Sequence, residues 1–115
     1  MALLIVSAAA SPLFGDFLIE VSVTDAEGNP VSSLVPRNFE IAHLASLNHA
    51  GANPRSIAKV DEGPPGFYIV QLKPNKVQSQ LPAGHYVFAV AVKRRVERRS
   101  PLDCGQTVAV GTMVY

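Results

Sequence analysis

The stretch that decides the fold is Leu81-Pro82-Ala83-Gly84-His85-Tyr86-Val87-Phe88-Ala89-Val90-Ala91-Val92-Lys93-Arg94. It begins with a turn that contains Pro and Gly. It continues as an alternation of bulky and small apolar residues and ends at the charged residues Lys93 and Arg94. One row of the run is bulky, and the other is smaller and contains Val87, Ala89 and Ala91. Because successive side chains of a strand point to opposite faces of its sheet, this pattern predicts a central strand with Tyr86, Phe88, Val90 and Val92 in the core.

Six other segments carry strand-like patterning, and turn signals separate them. They are residues 3–9, 17–24, 39–42, 57–60, 67–72 and 107–114. Segment 17–24 alternates most strictly, so one of its faces should be buried. We expect 57–60 to pair with 67–72 across the turn at 61–65. Both rows of 67–72 are apolar, which predicts cover on both faces or a partner surface.

Residues 45–55 lack such alternation. Their content of Asn, His, Gly and Pro predicts a loop. An alternative is that residues 41–47 form one or two helical turns. Together with the central strand, about seven short strands separated by turns are typical of an Ig-like sandwich. We therefore predict an all-β fold, a single Ig-like antiparallel β-sandwich.

The composition indicates one domain, residues 1–115, with a core of its own. The net charge is +1, so no overall field attracts nucleic acid or a membrane. Hydrophobic residues make up 48% of the chain and charged residues only 17%, so we expect exposed apolar surface that serves a partner or self-association. The single Cys104 cannot form an internal disulfide. A reducing compartment such as the cytoplasm fits this better, although exported bacterial proteins without disulfides also occur.

The N-terminal run from Met1 to Ala10 is compatible with a first strand or with the remnant of a secretory signal. It has no Lys or Arg ahead of its apolar part and is too short to span a bilayer. We therefore favour a strand, closed by Ser11-Pro12.

Two motifs resemble those of bacterial Ig-like and carboxypeptidase-regulatory-like (transthyretin-like) modules. In residues 21–31, an alternating strand runs into an Asp-x-x-Gly-x-Pro-Val turn. The second motif, Leu81-Pro82-Ala83-Gly84-His85-Tyr86, resembles the Leu-Pro-x-Gly-x-Tyr entry to a late core strand and is akin to a tyrosine corner. The resemblance covers most of residues 17–92 and implies a β-sandwich. It implies no particular activity, because such modules serve adhesion, carbohydrate binding, chaperoning and spacing.

Residues 93–99, here called the basic segment, have the most distinctive surface chemistry. Five of the seven are basic: Lys93, Arg94, Arg95, Arg98 and Arg99. The simpler interpretation is a solvated hairpin turn. The functional one is a binding site for an acidic partner, nucleic acid phosphate or lipid head groups. No aromatic residue is interleaved with these charges, so specific nucleic acid binding is not predicted.

No catalytic or metal site is predicted. The three histidines, His43, His49 and His85, lack the spacing of a ligand cluster, and Cys104 has no second cysteine. There is no Gly-x-Ser-x-Gly motif. The turn at 25–29 offers oxygen ligands for Ca²⁺ but is more typical of a plain hairpin turn. We expect no cofactor, no metal and no enzymatic activity.

These patterns favour a non-catalytic structural or interaction module that contacts protein, as a homo-oligomer or a subunit of a larger assembly. Strand addition at exposed sheet edges is one route. The alternative is a small-ligand or carbohydrate-binding sandwich in which the loops 45–55 and 61–66 line the site. The chain has no Trp, and we expect Tyr68 and Tyr86 to be structural.

Overall fold

Eight strands form two four-stranded antiparallel sheets in the computed structural model, which describes residues 2–46, 49–73 and 81–115. The strands are β1 Ile5–Leu13, β2 Asp16–Thr24, β3 Phe39–Ser46, β4 His49–Arg55, β5 Ile57–Glu62, β6 Phe67–Leu72, β7 Gly84–Arg94 and β8 Asp103–Met113. One sheet has the order β1-β2-β6-β5 and the other β4-β3-β7-β8. A short 3-10 helix, Pro36–Asn38, precedes β3.

The strand order confirms the predicted Ig-like sandwich. Ig constant-type domains place their first, second, fifth and fourth strands in one sheet and the remaining three in the other. Here the additional strand β4 extends the second sheet next to β3, which gives eight strands where the sequence predicted about seven. The tyrosine corner of such domains is present as well. The Tyr86 hydroxyl donates a hydrogen bond to the carbonyl oxygen of Pro82, 2.5 Å away.

The prediction of a loop at 45–55 is wrong, and so is the helical alternative for 41–47. β3 continues to Ser46, and β4 pairs with it in antiparallel register, with Ile41 opposite Arg55 and Ala42 opposite Pro54. Residues 47 and 48 lie outside the described residues. β4 is the edge strand of its sheet, where a proline is tolerated because one side of the backbone needs no ladder partner.

The first and last strands are both longer than predicted. β1 runs through Ser11-Pro12, which was expected to close it, and β8 begins at Asp103 instead of Thr107. The two strands lie against each other. A Cβ built on Gly105 would meet the Leu4 carbonyl oxygen at 2.3 Å, and one on Gly111 would meet the Ala10 carbonyl oxygen at 2.9 Å. Glycine in β8 is thus required by the close approach of the β1 backbone.

The core lies between the two sheets, and the opening stretch supplies one side of it. Tyr86, Phe88, Val90 and Val92 are all buried, as their alternation predicts. The alternating residues of β2 supply the other side, namely Phe17, Ile19, Val21 and Val23. The Phe17 and Phe88 rings meet edge to face with centroids 5.3 Å apart.

Aromatic contacts between the sheets define two ends of the sandwich. At the upper end, where β3 begins, the rings of Phe39 and Tyr68 have centroids 5.3 Å apart. At the lower end, where β7 begins, the Phe17 and Tyr86 centroids are 5.2 Å apart. The turn between β5 and β6 and the connection between β7 and β8 therefore lie at the upper end. The turn between β1 and β2, the end of β3 and the start of β4 lie at the lower end.

Candidate interaction surface

Two adjacent rows on the outer face of the β4-β3-β7-β8 sheet contain only apolar residues among the described side chains, and a row with Glu40 and Gln106 lies next to them. Strand pairing places Pro54, Ala42, Ala89 and Val108 in one row across the sheet. The adjacent row contains Ala45, Val87 and Val110. These seven residues, together with Ala91, are called the apolar face below. It carries the smaller row of the opening stretch, because the bulky row of β7 points into the core.

The outer face of the opposite sheet is built differently. Its rows are Ser7–Ser22–Phe67, Ala9–Glu20–Ile69–Asp61 and Ser11–Leu18–Gln71–Lys59. Each of these rows contains a polar or charged side chain, as expected of a sheet face that remains in water. The apolar face is therefore a local property of one sheet and does not follow from the composition of the chain.

The apolar face has a ridge and a trough. Val108 and Val110 on β8 are 50% and 57% exposed and form the ridge. Ala42, Ala89 and Ala91 on β3 and β7 are half-buried and form the trough, because their side chains end at the methyl group. A depression of about 1000 Å³ lies over the trough and reaches the upper end of the sandwich. A second depression of about 680 Å³ adjoins it.

Polar pairs border the apolar face at both ends. At the upper end, the Lys93 ammonium and the Glu40 carboxylate are 2.5 Å apart. At the lower end, Nδ1 of His85 lies 2.9 Å from Oγ1 of Thr112. An apolar centre within a polar border is the usual organisation of a protein–protein interface.

The structure divides the basic segment into two parts. Lys93 and Arg94 are the last residues of β7 and form ion pairs, Lys93 with Glu40 and Arg94 with Asp103 at 3.2 Å. The other three arginines, Arg95, Arg98 and Arg99, are exposed in the connection to β8, and none has an ion pair among the described residues. The acidic-partner hypothesis for the five basic residues stays a prediction.

Asp103 is the ion-pair partner of Arg94 at the start of β8. The Asp103 carboxylate is buried and accepts a hydrogen bond from the Ala2 backbone N–H at 3.0 Å, in addition to its ion pair with Arg94. These donors, the Ala2 N–H first, lower the pKa of Asp103 below its ordinary value of 3.8. Asp103 thus attaches the start of the chain to the β7–β8 connection, and Arg94 has a structural role.

In residues 2–46, 49–73 and 81–115, no group of three or more His, Cys, Asp or Glu side chains is placed to hold a metal ion. The His43 ring packs against Tyr86 and Phe88, with centroids 5.5 and 5.6 Å apart. Cys104 is exposed on β8.

The Asp25 turn uses its carboxylate internally. Oδ1 of Asp25 accepts hydrogen bonds from the backbone N–H groups of Glu27 and Asn29, at 3.0 and 2.9 Å. The Asn29 N–H contributes most to lowering the pKa of Asp25. These contacts are those of a closed hairpin turn, as the composition predicted, with Gly28 in the left-handed region at φ +87°.

The two segments expected to line a carbohydrate site lie apart. Ser46 and His49, which pair where β3 ends and β4 begins, lie at the lower end, whereas the 61–66 turn joins β5 to β6 at the upper end. Tyr68 and Tyr86 are buried and hydrogen-bonded to the backbone, as expected of structural tyrosines. The carbohydrate-binding alternative stays a prediction.

The sheet edges carry features that oppose strand addition. The edge strand β5 has a bulge between Ile57 and Lys59 and a Lys59–Asp61 ion pair at 3.3 Å. The edge strand β4 contains Pro54, and β1 covers β8 along Gly105 to Gly111. Charges, bulges, proline and covering segments are the usual protections of sheet edges. The apolar face is the better candidate for a contact than any edge.

The fold and this surface define an all-β, Ig-like sandwich with two apolar rows on the outer face of one sheet. A search of family models, of curated proteins and of solved structures finds no match to the chain. The resemblance to carboxypeptidase-regulatory-like modules therefore stays a prediction. Within the described part of the chain, no helix has the length and apolar character needed to cross a membrane.

The sequence did not single out the apolar face. It assigned Val87, Ala89 and Ala91 to one side of a strand, but small apolar residues are equally compatible with a covered face. What identifies the surface is the register, because it aligns Ala42, Ala89 and Val108 in one row. The sequence signal nearest to the apolar face is the run of small residues that alternates with the bulky row of β7.

Proposed function

We propose that this chain is a non-catalytic interaction module that contacts protein through the apolar face, as part of a homo-oligomer or a larger assembly. The observation that carries the proposal is the pair of in-register rows without a polar side chain, Pro54–Ala42–Ala89–Val108 and Ala45–Val87–Val110. Covering such a surface stabilises a complex by about 25 cal/mol for each Å² of apolar area removed from water.

The scaffold supports this role because the face is presented rigidly. β3 and β7 are internal strands with partners on both sides, so the trough residues Ala42, Ala89 and Ala91 are fixed by two ladders of hydrogen bonds. The buried rings of Phe39 and Phe88, on the other side of the same strands, fill the core beneath them. A preorganised surface loses little conformational entropy when it binds.

Site-specific photo-crosslinking in cells that naturally produce the protein tests the proposal. A photoreactive amino acid replaces Val108 on the ridge in one variant and Ser22, on the outer face of the opposite sheet, in a matched control. Mass spectrometry identifies the crosslinked peptides, including peptides of the chain itself. We expect protein adducts at position 108 and few at position 22. Absence of adducts at 108, or equal yields at the two positions, would contradict the proposal.

A further inference from the structure

We propose that the connection between β7 and β8 is a second binding site, which attaches the protein reversibly to a membrane surface containing anionic lipids. Arg95, Arg98 and Arg99 contact the phosphate and carboxylate groups of the lipids, and Val96 enters the boundary between head groups and acyl chains. The site shares no residue with the apolar face, so this inference goes beyond the proposed function and does not depend on it.

The positive charge that the basic segment offers to a ligand lies in this connection. Arg95, Arg98 and Arg99 are exposed and have no carboxylate partner among the described residues. The two basic residues before them, at the end of β7, are paired with carboxylates. Glu97 offsets one of the three arginine charges, which leaves a net charge of +2 on residues 95–99. The small net charge of the whole chain therefore conceals a local positive field at this corner.

The connection is compact, so its side chains are presented together. β7 and β8 pair with each other as far as the base of the connection. Within it, the Ser100 N–H donates a hydrogen bond to the Glu97 carbonyl oxygen at 3.0 Å. Nη1 of Arg95 lies 3.5 Å from the Arg98 carbonyl oxygen. Arginines on a short closed turn lose less conformational entropy on binding than arginines on a loose loop.

Exposed apolar side chains lie beside these charges. Val96 is 65% exposed, within the connection itself. Leu3 is 66% exposed and forms a parallel bridge with Cys104, which is the second residue of β8. Cations together with exposed apolar side chains fit the head groups and the acyl chains of an anionic membrane surface. Nucleic acid fits less well, because its phosphates offer no apolar contact and residues 95–102 contain no aromatic residue to stack on a base.

The carboxylates of the other sheet limit the contact to this corner of the upper end. Glu62, the last residue of β5, accepts hydrogen bonds from the Gly66 and Ser33 backbone N–H groups, both at 3.0 Å. These donors, the Gly66 N–H first, lower the pKa of Glu62, so it stays ionised at neutral pH. An anionic membrane laid across the whole upper end would meet this charge. We therefore expect contact on the β7–β8 side alone.

Co-sedimentation with vesicles tests the role of the charges. We expect the unaltered protein to bind vesicles of equal parts phosphatidylcholine and phosphatidylserine and not to bind vesicles of phosphatidylcholine alone. The double variant Arg98→Ser with Arg99→Ser should bind about thirtyfold more weakly, because each arginine near an anionic surface strengthens binding about fivefold.

The double variant Lys59→Ser with Lys73→Ser is the charge-matched control. Both lysines are exposed, one on β5 and one just after β6, and are remote from the β7–β8 connection. Their loss should change vesicle binding by about twofold or less, because salt screens charges that do not approach the surface. Circular dichroism confirms that both double variants are folded.

A tryptophan probe tests the insertion of Val96. The chain contains no Trp, so Val96→Trp introduces a single reporter whose fluorescence reflects its own surroundings. Vesicles with phosphatidylserine should shift its emission to shorter wavelength, because the ring leaves water for the membrane interface that Trp prefers. Val114→Trp is the matched control, since Val114 is also exposed, at 75%, but follows β8 at the lower end. Its emission should not change.

Three results would overturn the inference. The first is no binding to phosphatidylserine vesicles, or equal weakening by the arginine and lysine double variants. The second is a protein that sediments with vesicles without an emission shift at position 96, which would mean adsorption by charge without insertion. The third is binding of a double-stranded oligonucleotide through the same arginines in the absence of vesicle binding. Photo-crosslinking at position 108 tests the proposed function separately, so either proposal can fail while the other stands.

Discussion

The hydroxyl of Tyr68 donates a hydrogen bond to the carbonyl oxygen of Val31, 2.6 Å away, inside the sandwich. The same hydroxyl oxygen accepts a hydrogen bond from the backbone N–H of Leu34 at 3.2 Å. Val31 and Leu34 belong to the segment that crosses from β2 to β3, and both are buried. The Tyr68 side chain thus provides hydrogen-bond partners for two buried backbone groups of the segment between β2 and β3, which water does not reach.

Tyr68→Phe should destabilise the protein by about 2 kcal/mol, because it leaves a buried carbonyl and a buried N–H without partners. Tyr86→Phe is the matched comparison. It also removes one hydroxyl, but the acceptor residue Pro82 is exposed and its carbonyl can bind water instead. We expect a cost of about 1 kcal/mol for that change. Urea unfolding of both variants measures the difference, and an equal cost, or a larger one for Tyr86→Phe, would contradict the prediction.

Phe14→Asn should stabilise the protein by about 1 kcal/mol, because Asn tolerates the left-handed region better than Phe. Phe14 and Gly15 form the two-residue turn between β1 and β2, and both have positive φ, at 49° and 79°. Such a type I′ turn prefers Asn before Gly, whereas a bulky L-residue is strained in this region. The Phe14 side chain is 92% exposed, so its removal sacrifices almost no packing.

Phe14→Ala is the control for that substitution, since it removes the ring but keeps a residue that disfavours positive φ. The midpoint of chemical denaturation should rise for Phe14→Asn and change little for Phe14→Ala. A gain of the same size in both variants would mean that the exposed ring, and not the backbone, sets the stability of this turn.

Much of the fold is predictable from the alternation of apolar and polar residues alone. The features that the sequence prediction missed were missed for physical reasons. The rows of β2 and β7 differ in bulk, so the core residues Phe17 and Phe88 follow directly from the sequence. β4 was missed because Gly51 and Pro54 have low strand propensity, and tertiary pairing with β3 overrides it. The apolar face was missed because a sequence does not give the register between strands distant in the chain.

Gly105→Ala should destabilise the protein by about 2 kcal/mol or more, because the new methyl group would overlap the β1 backbone. The nearest atom, the Leu4 carbonyl oxygen, lies 2.3 Å from the Cβ position and cannot move without displacing the strand. Gly63→Ala is the control, since the nearest atom to its Cβ position is a Phe67 ring carbon at 3.9 Å. Its effect should be within about 0.5 kcal/mol. Thermal unfolding of the pair compares them, and a mild effect at Gly105 would show that β1 is not held against β8.

Acid should loosen the start of the chain through Asp103. Its pKa in the folded protein lies below the ordinary value of 3.8, chiefly because it accepts the Ala2 N–H hydrogen bond and also because it faces Arg94. Because folding lowers this pKa, the ionised Asp103 stabilises the folded protein at any pH above the pKa of the unfolded chain. That stabilisation is lost as the pH falls through the lower pKa of the folded protein. Stability measured by urea unfolding should therefore fall from about pH 5 to about pH 2. Asp103→Asn should be less stable than the unaltered protein near neutral pH and lose less on acidification.

Hydrogen exchange locates the effect. The Leu4 N–H donates to the Cys104 carbonyl oxygen at 2.9 Å, next to Asp103 in the chain. Asp103→Asn should speed exchange of the Leu4 amide, because the ion pair that holds β8 to Arg94 is lost. The Val23 amide, which donates to the Gly66 carbonyl oxygen at 2.8 Å, lies in another part of the structure and serves as the internal control. If the Leu4 and Val23 amides change equally, the substitution acts on global stability, and Asp103 is not a local attachment for the first strand.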